Sequence, residues 1–285
     1  MRGLIAIALV LLLAPAAGWA KDSKPAVART PNEPIVEFEM MTWPEVKAAL
    51  AQGKTTALFY TGGTEQRGPQ NVNGGHTLMG KAIVKSVAQK LGSAIAMPVL
   101  PYTPNNASAG LTGTIGLTPD ILAAILERVS EQAIVTGFGN IILMGDHGGG
   151  QPSVYQDVAK KLNEKYAAQG IHVFYCDDVY QKAQKDFDEW LTSEGYPPSL
   201  HGGLPDTAEM LYLGGDEWVR KDLVPTALGD TPPPPGASAS LRINNGIVGD
   251  ARRANAELGK KLFDLRVDYA VKQIRGFVNT TQGAH

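Results

Sequence analysis

A single cysteine stands in the 285 residues, so no internal disulfide can form and the fold has to rest on a packed core. That residue, Cys176, sits in Val173-Phe-Tyr-Cys-Asp177, a run that reads as buried strand, which makes it a packed thiol rather than a nucleophile. An excess of one charge is also missing. The 26 Lys and Arg are set against 28 Asp and Glu, for a net charge of -2, and no basic run interleaves with aromatics. The electrostatic footprint of a nucleic-acid binder is therefore absent, which leaves small molecules as partners. No Gly-x-Ser-x-Gly elbow occurs, which counts against a Ser-His-Asp hydrolase. After the first twenty residues no apolar run approaches the length of a membrane span.

Those first residues read as a secretory signal peptide, residues 1–20: Arg2 supplies the positive start, Leu4 to Leu13 the apolar centre, and Gly18-Trp-Ala20 a small-residue cleavage site. The apolar centre is too short for a membrane anchor, so the mature chain is expected to begin near Lys21, periplasmic or secreted, with no membrane contact after cleavage. Residues 21–35 are polar, proline-punctuated and aperiodic, a flexible leader by composition. Residues 36–285 read as one domain, because no repeat or strong internal boundary divides them.

Within that domain strand and helix patterns alternate. Thr55 to Tyr60 is a short apolar strand run, followed by a glycine-rich loop to His76 and a helix with Met79, Ile83, Val87 and Leu91 on one face. Ala94 to Leu100 reads as a second strand. The loop from Pro101 to Leu117 is long and rich in Gly and Asn, a loop suited to lining a site. Thr118-Pro-Asp starts a helix carrying Ile121, Leu122, Ile125, Leu126 and Val129 on one face. Asn140 to Gly145 is the clearest buried strand and runs into Asp146-His147-Gly-Gly-Gly150; a helix from 152 to 169 and a strand from 171 to 176 follow. The alternation predicts an α/β fold with a mostly parallel sheet and helices on both faces. Beyond 178 come a polar helix to 193, a loop holding His201 and Asp206, a short helix with Glu209, an extended proline loop near 231–238, and a closing helix from Ala251 to Ile274. Cys176, the proline loop and the closing helix are given no part in any reaction.

Three of the five histidines, His76, His147 and His201, lie in glycine-flanked loops. In an open α/β sheet such loops gather at the carboxyl ends of the strands, where ligands bind. Glu65, His76 and His147 together make a one-carboxylate, two-imidazole set, which holds zinc while leaving a position open for water. Hydrogen-bonded structural histidines are the competing explanation of the same spacing.

Five segments carry a resemblance: Glu65-Gln-Arg-Gly-Pro69, Gly113-Thr-Ile-Gly-Leu117, Gly145-Asp-His-Gly-Gly149, His201-Gly-Gly-Leu-Pro-Asp-Thr207, and Gly246-Ile-Val-Gly-Asp-Ala-Arg-Arg-Ala-Asn-Ala-Glu-Leu-Gly259. In that order they resemble the creatininase (creatinine amidohydrolase) family over nearly the whole mature chain. The resemblance implies a single α/β domain, a divalent-metal site at strand ends, hydrolysis of a carbon–nitrogen bond in a cyclic or linear amide, and a homo-oligomer. It also implies departures. The family's first motif reads Glu-Gln-His-Gly-Pro-His, with a metal-bridging aspartate eleven residues after the glutamate; here Arg67 and Gln70 replace the histidines and His76 stands at the bridging position. The two positions at which members carry a further glutamate are Gly149 and Leu204.

Ligands for one metal are thus kept and those for a second are lost. The expectation is a mononuclear site, with zinc or manganese on Glu65, His76 and His147 activating a water. Arg67 would supply fixed positive charge where the second ion sits in relatives, unless it is spent on a buried salt bridge to Glu65. Asp206, at the position of the family's glutamate, is expected as general base or proton shuttle with His201 as its neighbour, and Asp146 as a carboxylate orienting a ligand. Two rivals remain: a non-catalytic binding pseudoenzyme of the same fold, and a metal-free hydrolase, which a Glu65–Arg67 pair would favour.

Overall fold

The structure, a computed structural model, describes residues 34–233 and 243–282. The signal peptide, nearly all of the leader, most of the proline loop and His285 lie outside the described residues.

β1 (Thr56–Thr61) runs parallel between β2 (Ala94–Ala96) and β3 (Asn140–Gly145), and β4 (His172–Tyr175) lies parallel beside β3, giving the order β2-β1-β3-β4. Parallel neighbours need crossover connections. α2 (Gly75–Leu91), α3 (Pro119–Thr136) and α4 (Gln151–Tyr166) supply them. Successive strand side chains point to opposite faces. Leu58, Tyr60, Ile142 and Met144 therefore pack on Met79, Ile83 and Val87 of α2 and on Val267, Val271 and Ile274 of α7 (Ala256–Gln282). Ala57, Ile141, Leu143 and Val173 pack on Leu122 and Leu126 of α3, Val154, Val158 and Leu162 of α4, and Ala49 of α1 (Trp43–Ala51). Each fully buried aliphatic side chain of this kind contributes about 1.5–3 kcal/mol. The single α/β domain with helices on both faces is thus present, and its sheet is parallel throughout.

Four features differ from the sequence reading. The second strand stops at Ala96, because Pro98 has no N–H for a ladder, although Met97 and Leu100 still donate to Leu58 O and Tyr60 O. α3 buries Leu122, Leu126, Ser130 and Ala133, whereas Ile121 is 46% exposed, so its inner stripe is narrower and rotated. The segment after 178 opens with a π-turn, Asp178–Lys182, before α5 (Ala183–Ser193). The closing helix starts at Ala256, where Asn255 Oδ1 accepts the Leu258 N–H at 3.0 Å, and runs on to Gln282.

The strand order places the site. From β1 the chain passes outward to β2, then returns across β1 to β3, so the loops leaving β1 and β3 diverge at paired strand ends, Thr61 beside Gly145. A crevice opens at such a reversal. Its far wall is built by α5 and by α6 (Leu204–Gly214), which packs along α7.

Candidate metal centre

The loop after β1 turns back on itself to bring Glu65 and His76 together. Gly68 takes a left-handed backbone (φ 78°), and a Cβ there would lie 2.5 Å from Ile247. Gly75, in the first turn of α2, has to lack a side chain because Arg67 Nη1 sits 2.8 Å from where its Cβ would be. Across the crevice, buried Gln151 at the start of α4 ties the two strand-end loops together. Its Nε2 donates to Thr61 O, Gly62 O and Thr103 Oγ1 at 3.2, 3.1 and 2.8 Å, while its Oε1 accepts the His147 N–H at 3.2 Å.

Glu65 is the hub, 5% exposed. Its Oε1 lies 2.8 Å from His76 Nε2, and its Oε2 lies 3.0 Å from His147 Nε2. Asn105 Nδ2, from the long loop between β2 and α3, donates to Oε2 at 2.5 Å. Burial would raise the Glu65 carboxyl, but hydrogen bonds from His147 and His76 outweigh it and hold the group well below the usual carboxylate range. One ligand atom from each of Glu65, His76 and His147 lies within 4.8 Å of the other two, and among the described residues no second group of His, Cys, Asp and Glu is so arranged.

The two histidines are held in different ways. His76 Nδ1 is 2.9 Å from Asp146 Oδ2, and Asp146 is in turn 3.2 Å from Arg266 Nη1 of α7. A carboxylate at Nδ1 fixes the ring so that Nε2 faces the centre of the site, where it would ligate once a metal displaces its proton, the usual support of a ligating histidine. Burial and Arg67 work against charge on His76, yet Asp146 and Glu65 prevail and raise it to about 9. Asp146 is pulled down to about 2, because His76, Arg266 and Arg67 more than offset its burial. His147 Nδ1 accepts the Gly149 N–H at 3.0 Å, and this holds the ring with Nε2 facing Glu65.

Arg67, 1% exposed, pairs through Nη2 with Asp206 Oδ1, and Asp206 Oδ2 accepts the Gly202 N–H at 2.7 Å. The alternative pairing of Arg67 with Glu65 is therefore not the one formed. Asp206 resists ionisation through burial, but Arg67 prevails and lowers it. His201 does not hydrogen-bond Asp206 as expected of a neighbour. Its Nε2 lies 2.8 Å from Gln66 O and its Nδ1 3.7 Å from Glu65 Oε1. The cleft that these residues share measures about 200 Å³.

A family model described as creatinine amidohydrolase (creatininase) matches residues 39–274. The chain belongs to the creatininase family. It is 24% identical over 262 residues to creatinine amidohydrolase of Pseudomonas putida, covering 82% of this chain and 94% of that one. Its fold matches a manganese creatininase with a TM-score of 0.69 at 22% identity, covering 85% of this chain and 98% of that one. A Zn-Zn type creatininase variant matches with a TM-score of 0.65 at 22% identity, covering 86% and 98%. Creatininase-family homologues are metal-dependent amidohydrolases.

Of the positions at which this creatininase-family chain departs from the family pattern, Gln70 and Leu204 are absorbed into packing and Gly149 lines the cleft. Gln70 is buried and donates to Gly202 O and Thr207 Oγ1 at 2.7 and 3.1 Å. Leu204 packs on Phe187 and Leu262. A Cβ at Gly149 would lie 2.8 Å from His147 Cε1.

Several residues of the site escaped the sequence reading. Arg266 corrects the view that the closing helix has no part in the site, since it anchors Asp146, which faces His76. Gln184 and Asp188 of α5 line the cleft. Glu209 of α6 is fully buried beside Arg266, whose Nε is 3.3 Å from its Oε2. Burial lifts Glu209 from 4.5 to about 7, with Asp146 and Asp206 adding to the rise and Arg266 opposing it. A carboxyl raised on folding is bound to its proton more tightly in the folded chain, so the stability it lends is full below pH 4.5 and fades as pH climbs to about 7. Glu209→Gln mimics the protonated form and removes that slope. Relative to wild type the variant is expected to gain about 2–3 kcal/mol between pH 4.5 and 7.5, read by urea unfolding at both. Parallel pH profiles for the two proteins would sink this assignment.

Proposed function

We propose that this protein is an amidohydrolase that uses one divalent ion, zinc or manganese, held by Glu65, His76 and His147, to hydrolyse the carbon–nitrogen bond of a small polar cyclic or linear amide. The observation that carries this is the convergence of three donor atoms, with Asp146 behind His76 fixing which nitrogen faces the centre. The donor set of one carboxylate and two imidazoles suits zinc and leaves room for water or substrate. When bound, the ion supplies Lewis acidity, polarising an amide carbonyl and lowering the pKa of a water.

The chain's own groups complete the chemistry. Arg67 fixes a positive charge at the cleft floor, beside Asp206, where charge on a developing oxyanion is stabilised. His201 turns Nδ1 toward the cleft, 3.7 Å from Glu65 Oε1, while its Nε2 meets Gln66 O at 2.8 Å and Gln66 Nε2 at 3.2 Å. That makes His201 the group able to move a proton, while Asp206, held ionised by Arg67, is a weak base that serves mainly to hold Arg67 in place. Location outside the cytoplasm is proposed on the sequence of residues 1–20, and a homo-oligomer on family membership.

The second reading, a binding pseudoenzyme, draws on Arg67, which stands where the family motif has a histidine and is paired with Asp206. Elemental analysis of protein purified without a histidine tag, wild type beside His147→Ala, separates the two. About one zinc or manganese per chain, lost in the variant, is the expected result. Two ions per chain would overturn the mononuclear reading, and none in either protein would favour the pseudoenzyme.

A further inference from the structure

Four carboxylates line the cleft, and three of them face cations or imidazoles of the chain: Glu65 with His76 and His147, Asp146 with His76 and Arg266, and Asp206 with Arg67. The fourth, Asp188 on α5, has no such partner among the described residues. Its contact is neutral: Gln184 Nε2, one turn earlier on the same helix, donates to Asp188 Oδ1 at 2.9 Å. The direction of the Gln184 amide is set from behind, because its Oε1 accepts from Arg266 Nη2 at 3.4 Å. Gln184 thus stands between Arg266 and Asp188, no ion pair joins the two among the described residues, and the remaining Asp188 oxygen is left for whatever enters the cleft.

A half-buried carboxylate without a counter-charge is costly, and the cost is recovered when a ligand brings the missing cation and N–H donors. A neutral ligand would be served as well by asparagine, which carries no such penalty. Burial raises Asp188 to about 6, with Asp206 adding to the rise, and the Gln184 hydrogen bond and the more distant Arg266 only partly offset it.

We propose that Asp188, oriented by Gln184, is a specificity-determining residue that receives a positively charged, N–H-bearing end of the substrate on the α5 wall of the cleft. The inference rests on this cleft being the substrate site, and it narrows the substrate class to small cationic amides.

Acetamidinium and acetamide are near-isosteric probes that differ in charge, and their binding to the purified full chain can be compared by titration calorimetry or ligand-observed NMR. Wild type is expected to prefer acetamidinium by about tenfold, the value of one charge-assisted hydrogen bond. Asp188→Asn and Asp188→Ala are each expected to reduce that preference to near one, without change in metal content. His147→Ala, which lacks a metal ligand, is expected to keep the preference, so failure of the metal reading and failure of this one are distinguishable. Equal binding of the two probes by wild type, or a preference that survives both Asp188 variants, overturns the proposal.

Discussion

Replacing Arg67 by alanine is expected to remove about 3–5 kcal/mol of stability at pH 7, the usual effect of taking away one partner of a buried ion pair. Arg67 is 1% exposed and Asp206 9%, so the orphaned carboxylate has little water to turn to and keeps only the Gly202 N–H. The effect has a pH signature. Asp206 is lowered on folding, so the stability it contributes is present above its ordinary value of 3.8 and is lost as pH falls through the folded value. The gap between wild type and Arg67→Ala should accordingly narrow in acid, where Asp206 takes up a proton and no longer needs the guanidinium. Removing both charges together, as Arg67→Met with Asp206→Leu, should recover much of the loss, since it leaves no buried charge unpaired. Urea unfolding of the three proteins checks this. A loss below about 1 kcal/mol in the single variant would show that the pair behaves as a hydrated surface pair and does not organise the site.

The core of the fold was readable because its signals are local. β1 and β3 are short apolar runs, and α2 repeats Met79, Ile83 and Val87 at four-residue spacing, so period alone separates strand from helix. Glu65, His76 and His147 were readable because each sits in a glycine-flanked loop beside a strand end or helix start, where a scaffold residue has little reason to be. The rest of the site depends on contacts across the chain. Arg67 and Asp206 are 139 positions apart (206 − 67), and nothing in either neighbourhood names the other. Asp188 lies among the Lys, Asp and Glu of α5, where charge reads as a solvated face. Arg266 did leave a trace: Leu258, Leu262, Arg266, Ala270 and Ile274 follow one another at four-residue spacing, all buried, so the arginine interrupts an apolar stripe. A charge on such a stripe needs a buried partner, and Asp146 and Glu209 are its partners. Asp206 and Glu209, three apart in an otherwise apolar α6, left a trace of the same kind.

Glu65→Gln is expected to abolish metal retention and to lower amide hydrolysis by about 10³-fold or more, the scale of losing several kcal/mol of Lewis-acid stabilisation. Glu65 is the one anion among the three proposed ligands, and each of its oxygens faces one of the two histidines, Oε1 toward His76 and Oε2 toward His147. Glutamine keeps the volume and one acceptor, so the loops after β1 and β3 are expected to stay in place and the chain to stay folded. What it loses is the charge, and its amide N–H₂ cannot ligate a cation. Whichever way that amide turns, one imidazole is left facing a donor. Metal content and circular dichroism of the purified variant give a readout that does not depend on knowing the substrate, and turnover of whichever amide the wild type accepts gives the second. A variant that is folded and still carries a full equivalent of zinc or manganese would mean the ion is held elsewhere, and the roles given to His76, His147 and Asp146 would fall with it.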